Sequence, residues 1–374
     1  MELINLTVER FRNLHIRSLE LSDGLNLLLG RNGVGKTSLL EAMVVLANMR
    51  SFRAGSPRRL VRHGETGYRL AGAVRSQGRT HHLEQVVEVG PPVQRQLRLD
   101  GADLDVAGYL SFLPLFAISG LDREIVVGSP DGRRSLLDRF TFLLETHHLD
   151  DLRAYRRVLR QRNAALIGNA GDAEIAAWEQ ALAEAAARVI RTRQAACRRL
   201  GSTFAAVYRR LATEDAPPVE LEYRGDPWWS AEDDEEKLVE KHLQRYNETR
   251  PRDRQTGFTA DGPHRHDLNL RTDGRSTRYV LSTGQVKVVA AALRLAPHAE
   301  IERERGESLP VIVDDVDAEL DSTALARLVG LLGNERQLLL SSTNARVCEA
   351  VSHRTRRFWL ENGACVKQEA ESDE

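Results

Sequence analysis

Apolar residues follow strand-like patterns through the first third of the chain. Short apolar runs bounded by turn residues occupy residues 3–8 and Leu25–Leu29. Residues 68–74 and 81–89 show the same kind of pattern. We therefore expect the last two runs to pair as antiparallel strands.

The middle third of the chain has a helical pattern instead. Between residues 134 and 213 glycine and proline nearly vanish, while Ala, Leu and Arg dominate. Apolar residues keep a helical spacing on both sides of segment 168–172, and Asp172 is placed to cap the second helix. The pattern predicts two long helices joined as a hairpin, followed by a third helix near Tyr246.

Strand-like runs return toward the end of the chain. A long, nearly all-apolar helix is expected after Gly284, and the charge-free segments Val311–Val313 and 338–340 are typical of buried strands. Because strands occur in both terminal thirds, the pattern predicts one α/β sheet built from both ends of the chain. The helical hairpin is then an insertion between them.

We accordingly predict two domains. Residues 1–120 and 255–374 are expected to form an α/β domain with a mixed sheet, and residues 121–254 an inserted helical arm domain. A chain of 374 residues exceeds the usual size of a single hydrophobic core, which favours such a division.

Composition excludes some classes of function without selecting one. Hydrophobic residues make up 41% of the chain, and no apolar run approaches the roughly 20 residues that cross a bilayer, so we expect no membrane partner. The first residues lack the apolar core of a signal peptide. The isolated cysteines Cys197, Cys348 and Cys365 argue against a disulfide framework or a zinc site and favour a cytoplasmic location. The net charge of −1 gives no support for nucleic-acid binding, which must be judged from the distribution of arginines.

A candidate phosphate-binding loop follows the run Leu25–Leu29. Residues 30–37 fit the pattern GxxxxGK followed by Ser or Thr, and helix-forming residues come next. Glycines let backbone N–H groups converge on phosphate oxygens, and the helix N-terminus adds a partial positive charge. Lys36 is expected to reach the β- and γ-phosphates and Thr37 to bind Mg²⁺. The loop predicts binding of ATP or GTP through Gly30, Arg31, Asn32, Gly33, Val34, Gly35, Lys36, Thr37 and Ser38.

Two carboxylates follow the expected strand Val311–Val313. A charged pair at the C-terminal end of a strand lies where open α/β sheets bind ligands. Asp314 is expected to hold Mg²⁺, directly or through water, and Asp315 to orient or deprotonate the attacking water. Asp315 and Lys36 are therefore the candidate catalytic residues.

A second anion-binding element precedes Asp314 by one helix. Residues 281–285, Leu-Ser-Thr-Gly-Gln, closely match the LSGGQ signature of ABC ATPases. The Ser282 hydroxyl and the Gly284 N–H, next to Gln285, are suited to bind phosphate at a helix N-terminus. Residues 319–321 fall where ABC proteins carry their D-loop, so Asp321 joins the candidate nucleotide site. These elements, in this order, indicate an ABC ATPase with a P-loop core.

Further blocks of sequence resemble the RecF family. They are residues 11–13 (Phe-Arg-Asn), 50–53 (Arg-Ser-Phe-Arg), 128–134, 137–138, 262–267 (Gly-Pro-His-Arg-His-Asp) and 313–321. The resemblance implies an ABC ATPase head domain like those of SMC proteins, with a helical arm. It also implies ATP-dependent dimerisation on DNA, and partnership with RecR, with RecO, in loading RecA at gaps during DNA repair, replication and the SOS response.

Three departures from the ABC pattern favour slow ATP hydrolysis. Thr283 stands where most ABC signatures have glycine, and no glutamine suited to a Q-loop occurs near residues 118–122. No histidine follows Leu340 in the switch position, where Thr343 or Asn344 would have to serve. These residues fit a slow, ATP-gated clamp with weak, DNA-stimulated ATPase activity.

One face of the second arm helix is rich in arginine. From residue 185 to 213 there are seven arginines and no acidic residue. Six lie within an arc of about 120° opposite the apolar residues, and Arg193 lies on the apolar side. We expect this stripe to contact the phosphates of double-stranded DNA or of single-strand/double-strand junctions, unless it is only a solvated face. It comprises Arg188, Arg191, Arg198, Arg199, Arg209 and Arg210. A second candidate surface comprises Arg53, Arg58, Arg59 and Arg62.

Other functions of the same superfamily fit the sequence less well. The ATPase subunit of an ABC transporter would need a compact helical subdomain directly before the signature and a Q-loop glutamine. An SMC-like structural ATPase would need coiled coils of hundreds of residues, and a nuclease fused to an ABC head would need another acidic metal-binding domain. The sequence contains none of these features.

Overall fold

The computed structural model describes residues 1–319, 322–332, 336–344 and 355–370, which divide into two compact units. Unit 1 takes Met1–Arg123, Ala206–Ala216 and the chain from Leu281 onward, and unit 2 takes Glu124–Ala205 and Pro217–Val280. The sequence assigns residues 255–280 to the head instead. The difference arises because the strands in this segment pair with a strand of unit 2.

Strands and helices occupy the following positions within the described residues. The strands are β1 (Glu2–Leu3), β2 (Asn5–Glu9), β3 (Ser18–Glu20), β4 (Leu25–Leu29), β5 (Gly67–Ser76), β6 (Arg79–Val89), β7 (Val93–Leu99), β8 (Ala102–Asp103), β9 (Phe116–Ile118), β10 (Glu220–Arg224), β11 (Asp267–Thr272), β12 (Arg275–Ser276), β13 (Val311–Val313), β14 (Leu338–Ser342), β15 (Thr355–Glu361) and β16 (Ala364–Ala370). The α-helices are α1 (Lys36–Asn48), α2 (Val106–Phe112), α3 (Arg123–Val127), α4 (Pro130–Leu144), α5 (His148–Ile167), α6 (Asp172–Leu211), α7 (Glu235–Thr256), α8 (Thr283–Arg305), α9 (Val316–Glu319) and α10 (Ser322–Leu332).

The expected sheet from both chain ends is present in unit 1. Its order, in the part of the chain that the structure describes, is β16-β15-β4-β14-β13-β9. Leu340 pairs in parallel with Leu27 on one side and with Val313 on the other, whereas β16 runs antiparallel to β15. β13 and β14 are buried along their whole length, as charge-free parallel strands require. The mixed α/β sheet predicted from the sequence is therefore confirmed, and the carboxyl ends of β4, β13 and β14 meet at one edge.

A second sheet of unit 1 is antiparallel and supports the first helix. Its order is β3-β2-β5-β6-β7-β8, with β1 beside β5. The predicted pairing of residues 68–74 with 81–89 is confirmed, since Tyr68 lies opposite Val87. Leu39 and Met43 of α1 share one buried cluster with Tyr68 and with Ile312 of the mixed sheet. The helix that follows the phosphate-binding loop is therefore held by residues of both sheets.

Unit 2 contains the predicted helical hairpin, α5 and α6, together with α4, α7 and a small sheet. In that sheet β11 pairs with β10 and with β12, all antiparallel. Arg162 of α5 is fully buried, and it donates to Glu179 of α6 at 3.0 Å and to Asp253 of α7 at 2.8 Å. Charged groups that are buried this deeply must be paired, so these contacts hold three helices together. The last residues of α6, from Ala206 to Leu211, belong to unit 1.

Candidate nucleotide-binding site

The loop from residue 30 to 35 adopts backbone conformations that favour glycine. Gly30, Gly33 and Gly35 have φ angles of 147°, 84° and 114°, a region that residues with a Cβ rarely adopt. A Cβ on Gly30 would lie 2.6 Å from the carbonyl oxygen of Leu360. Neither the turn nor its contact with β15 therefore tolerates a larger residue at position 30.

Lys36 begins α1 and directs its ammonium group into this loop. Its Nζ donates to the carbonyl oxygens of Gly30 at 2.6 Å and Arg31 at 3.1 Å. Burial lowers the pKa of Lys36, while the carboxylates that follow β13 raise it. A buried ammonium beside loop carbonyls is well placed to bind phosphate oxygens. The other predicted loop residues are exposed (Asn32, Gly33), half-buried (Val34, Thr37) or buried (Gly35, Ser38).

Asp314 lies at the carboxyl end of β13 and contacts the loop helix. Its carboxylate accepts from the Thr37 hydroxyl at 3.0 Å and from the Ser341 hydroxyl at 2.7 Å. Burial raises the pKa of Asp314, and the Ser341 and Thr37 hydrogen bonds oppose this. No group of three or more His, Cys, Asp or Glu able to hold a metal occurs among the described residues. A Mg²⁺ ion here would need phosphate oxygens as further ligands, which is its usual mode of binding.

The residues after Asp314 form a second, more exposed acidic group. Asp315 has a positive φ of 52°, and its backbone N–H donates to Ser341 at 2.7 Å. Asp317 accepts from the Ser342 hydroxyl at 2.6 Å and from the Thr343 backbone N–H at 2.8 Å. Thr343, one of the two candidates for the switch position, thus donates to Asp317. The sequence did not single out Asp317, although it is the third acid of that segment.

The predicted signature residues form a helix cap. Ser282 precedes α8, its hydroxyl accepts from the Gln285 N–H at 3.3 Å, and the Gln285 side chain accepts from the Ser282 N–H at 2.9 Å. Ser282 and Gly284 are exposed. An open groove of about 740 Å³ in unit 1 is lined in part by Ser282, Tyr208, Asp317 and Arg327. The cap therefore presents its N-terminal end to an accessible surface.

Two further elements of the ABC pattern can be located only in part. At the segment where the sequence offers no Q-loop glutamine, Asp122 is buried and accepts from Arg294 of α8 at 2.6 Å. An ion pair therefore joins this segment to the signature helix. The D-loop candidate Asp321 and the cysteine Cys348 lie outside the described residues.

A buried carboxylate links the loop helix to the arginine-rich segment that follows it. Glu41 is fully buried in α1, and its carboxylate accepts hydrogen bonds from Nε and Nη2 of Arg12, each at 2.8 Å. The Ser51 hydroxyl also donates to Glu41, and it accepts from the backbone N–H groups of Arg53 and Ala54. The sequence showed Arg12, Ser51 and Arg53 only as members of family-like blocks and did not single out Glu41, because nothing in their spacing reveals the buried pair.

The six arginines of the predicted α6 stripe are divided between the two units. Arg209 and Arg210 belong to unit 1, and the other four belong to unit 2. Arg191 and Arg198 are exposed, whereas Arg188 lies 3.2 Å from Asp151. Arg199 also has a partner, and Arg210 donates to the Gly330 carbonyl oxygen at 3.2 Å. Arg193 is buried against Asp138, in keeping with its predicted apolar side.

The chain is similar to known proteins along almost its whole length. The family model described as RecF/RecN/SMC N terminal domain matches residues 2–365. A DNA replication and repair protein RecF from Anaeromyxobacter sp. is 33% identical over 368 residues, which is 98% of this chain and 99% of the relative. The corresponding protein from Edwardsiella ictaluri is 33% identical over 97% of this chain and 99% of its own.

Solved structures give the same result for the fold. One described as the recombination mediator protein RecF-ATPrS in the RecFOR pathway has a TM-score of 0.88 and 26% identity, with 99% of this chain and 98% of that chain covered. An Smc head bound to the C-winged helix domain of ScpA has a TM-score of 0.56 and 14% identity over 100% of this chain and 98% of its own, which is a likeness of fold alone. Among the described helices, none combines the length and hydrophobicity needed to span a membrane.

Proposed function

The chain belongs to the RecF/RecN/SMC family, and we propose that it is an ATP-binding DNA repair and recombination protein of the RecFOR pathway. The observation that most supports ATP binding is the 3.0 Å hydrogen bond from the Thr37 hydroxyl to Asp314. It joins the loop helix to the carboxyl end of β13, although the two residues are far apart in sequence. Two parts of a nucleotide-binding pattern therefore meet at one edge of the sheet.

The roles of the site residues follow from their geometry. Backbone N–H groups of the glycine loop and the N-terminus of α1 bind phosphate oxygens, and Lys36 exchanges its loop carbonyl partners for them. Thr37 and Asp314 would hold Mg²⁺, which neutralises developing phosphate charge when bound. Asp315, beside Asp314 and more exposed, orients or deprotonates the attacking water. Hydrolysis is slow, and DNA stimulates this weak ATPase activity.

The signature cap acts on a second copy of the chain. Ser282, Gly284 and Gln285 bind the nucleotide held by Lys36 of the partner, so ATP joins two chains into a dimer. Exposure of Ser282 and Gly284 supports this role, because a cap that served only its own helix has no need to face an open groove. Asp321 belongs to the same nucleotide interface.

DNA and recombination proteins are the partners of this dimer. The dimer closes on double-stranded DNA or on single-strand/double-strand junctions, and it acts with RecR and RecO to load the recombinase at gaps in the cytoplasm. Arginines of α6 contribute phosphate contacts, and Arg191, Arg198 and Arg209 are exposed. The alternatives are an ABC transporter ATPase subunit and an SMC-like structural ATPase.

Duplex binding in the presence and absence of ATP tests the proposal. The parent protein should bind duplex tightly with ATP and weakly without it, and Lys36→Ala should bind weakly in both conditions. A transporter subunit would show no ATP-dependent duplex binding. Duplex affinity that is the same with and without ATP would contradict the ATP-gated mechanism.

A further inference from the structure

A second arginine face lies on α5, the helix that the sequence analysis did not connect with DNA. Arg153, Arg156, Arg157 and Arg160 follow the spacing i, i+3, i+4, i+7, which places them on one side of the helix. All four are exposed, and they line an open groove of about 610 Å³. We call these four residues the α5 arginine face.

The α5 arginine face is nearly free of counter-charges. Arg153 pairs with Asp150 at 2.9 Å, but both side chains are largely exposed, so the pair is weak. Arg156, Arg157 and Arg160 form no ion pair or side-chain hydrogen bond with any residue that the structure describes. Like charges at i, i+3 and i, i+4 repel each other. Three neighbouring guanidinium groups are therefore held together on a helix without compensation.

Asp151, the acidic residue after Asp150, lies on the opposite side of α5 from this face, because none of the four arginines is three or four positions away from it. Asp151 is directed to α6, where its carboxylate lies 3.2 Å from the Arg188 guanidinium. This contact occupies an arginine of the predicted α6 stripe. Among the described residues of unit 2, α5 therefore has at least as many unpaired arginines as α6.

We propose that the α5 arginine face binds the phosphate backbone of duplex DNA. This inference rests on the proposed function and assigns a contact surface to that function. The four residues span about 10 Å along the helix, close to the ~12 Å width of the major groove. The planar guanidinium fork binds phosphate oxygens in pairs. Tyr155, the one aromatic residue of α5, is buried, so the face offers no ring on which single-stranded bases could stack.

The test measures the salt dependence of duplex affinity with ATP present, for the parent and for a variant in which Arg156, Arg157 and Arg160 are all changed to Gln. Removing one arginine–phosphate interaction should reduce the log–log slope by about 0.9, so the full variant should show a reduction of up to about 2.7. Its melting temperature should stay the same or rise, because mutual repulsion is removed. If the triple variant does not fold, Arg157→Gln alone should lower the slope by about 0.9.

A matched control has the same change in net charge at separate sites of unit 2. It replaces Arg224, Arg252 and Arg275, which are exposed on β10, α7 and β12, with Gln. The control should keep the parental slope. An equal reduction in both triple variants would overturn the proposal, because the effect would then come from net charge alone.

Three other outcomes would also overturn the proposal. Superimposable salt curves for the parent and the α5 variant would mean that the face is only solvated, while duplex binding by the parent would leave the proposed function intact. A parent that binds no duplex with ATP would remove the proposed function itself. If the α5 variant bound polyglutamate more weakly than the parent but bound duplex equally well, the face would be a docking surface for an acidic protein.

Discussion

Unit 2 should lose stability in mild acid because a histidine is buried there in its neutral form. His242 of α7 is fully buried, and its Nδ1 donates to the Leu238 carbonyl oxygen at 2.7 Å. Its Nε2 is buried without a partner among the described residues. Trp228 packs against the ring with centroids 4.6 Å apart, and Tyr246 does so at 5.7 Å. A proton added at Nε2 would therefore place a charge in an apolar pocket.

Burial lowers the pKa of His242 to about 4, even though the Leu238 carbonyl, Asp226 and Asp261 act in the opposite direction. In the unfolded chain an ordinary histidine titrates near pH 6.5. Above that pH both states are neutral and His242 does not change the stability. As the pH falls below 6.5 the unfolded chain gains a proton that the folded chain does not bind until about pH 4, so stability is lost across this window. Between pH 6.5 and 5 the loss amounts to about 2 kcal/mol, at about 1.4 kcal/mol per pH unit.

The comparison of parent and His242→Phe isolates this effect. Urea unfolding of both proteins at pH 7 and pH 5, followed by tryptophan fluorescence, gives the pH-dependent change in the free energy of unfolding of each protein. We expect the parent to lose about 2 kcal/mol more than the variant. Burial also lowers the pKa of His264 to about 4. Because His264 is present in both proteins, its effect on stability cancels in the comparison. Equal losses in parent and variant would refute the argument, whatever the absolute stability of the variant.

Three further predictions concern unit 1. Asp315→Asn should bind ATP and trap the dimer, because water activation fails while the metal ligands remain, and Asp314→Asn should weaken Mg²⁺-dependent nucleotide binding. Full hydrolysis of ATP by both variants would rule out this division of roles. Arg12→Ala leaves the buried Glu41 carboxylate without its main partner and should destabilise unit 1 by about 3 kcal/mol in urea unfolding. The double variant with Glu41→Gln should recover part of that stability, and a destabilisation below about 1 kcal/mol for Arg12→Ala would show that the pair is not desolvated.

The parts of the fold that could be predicted have strong local signals. Charge-free runs identified β13 and β14, because parallel strands covered on both faces contain few polar residues. The near-absence of glycine and proline from a long segment, together with the helical spacing of its apolar residues, identified α5 and α6. The sequence did not show that β10 and β11 pair within unit 2. Glu220–Arg224 alternates charged and half-buried residues, and its partner strand lies more than forty residues later. Long-range pairing of that kind leaves no local trace in the sequence.

The site was predictable to a similar extent. Residues 30–37 and the acids after β13 have motifs with fixed spacing, so their proximity could be anticipated. Whether a surface arginine is compensated depends on contacts between helices, and the sequence does not reveal them. Asp151 of α5, for example, pairs with Arg188 of α6, and no local pattern in the sequence indicates that contact.

Sedimentation of Ser282→Arg shows whether ATP joins two chains through the signature cap. The parent should be monomeric without nucleotide and dimeric with ATP. Ser282→Arg should bind ATP with parental affinity, since Lys36 and Asp314 are unchanged, but remain monomeric because its side chain blocks the approach of the second nucleotide. Lys36→Ala should be monomeric because it does not bind ATP. ATP-dependent dimers of Ser282→Arg that match those of the parent would show that the signature cap does not hold the second nucleotide.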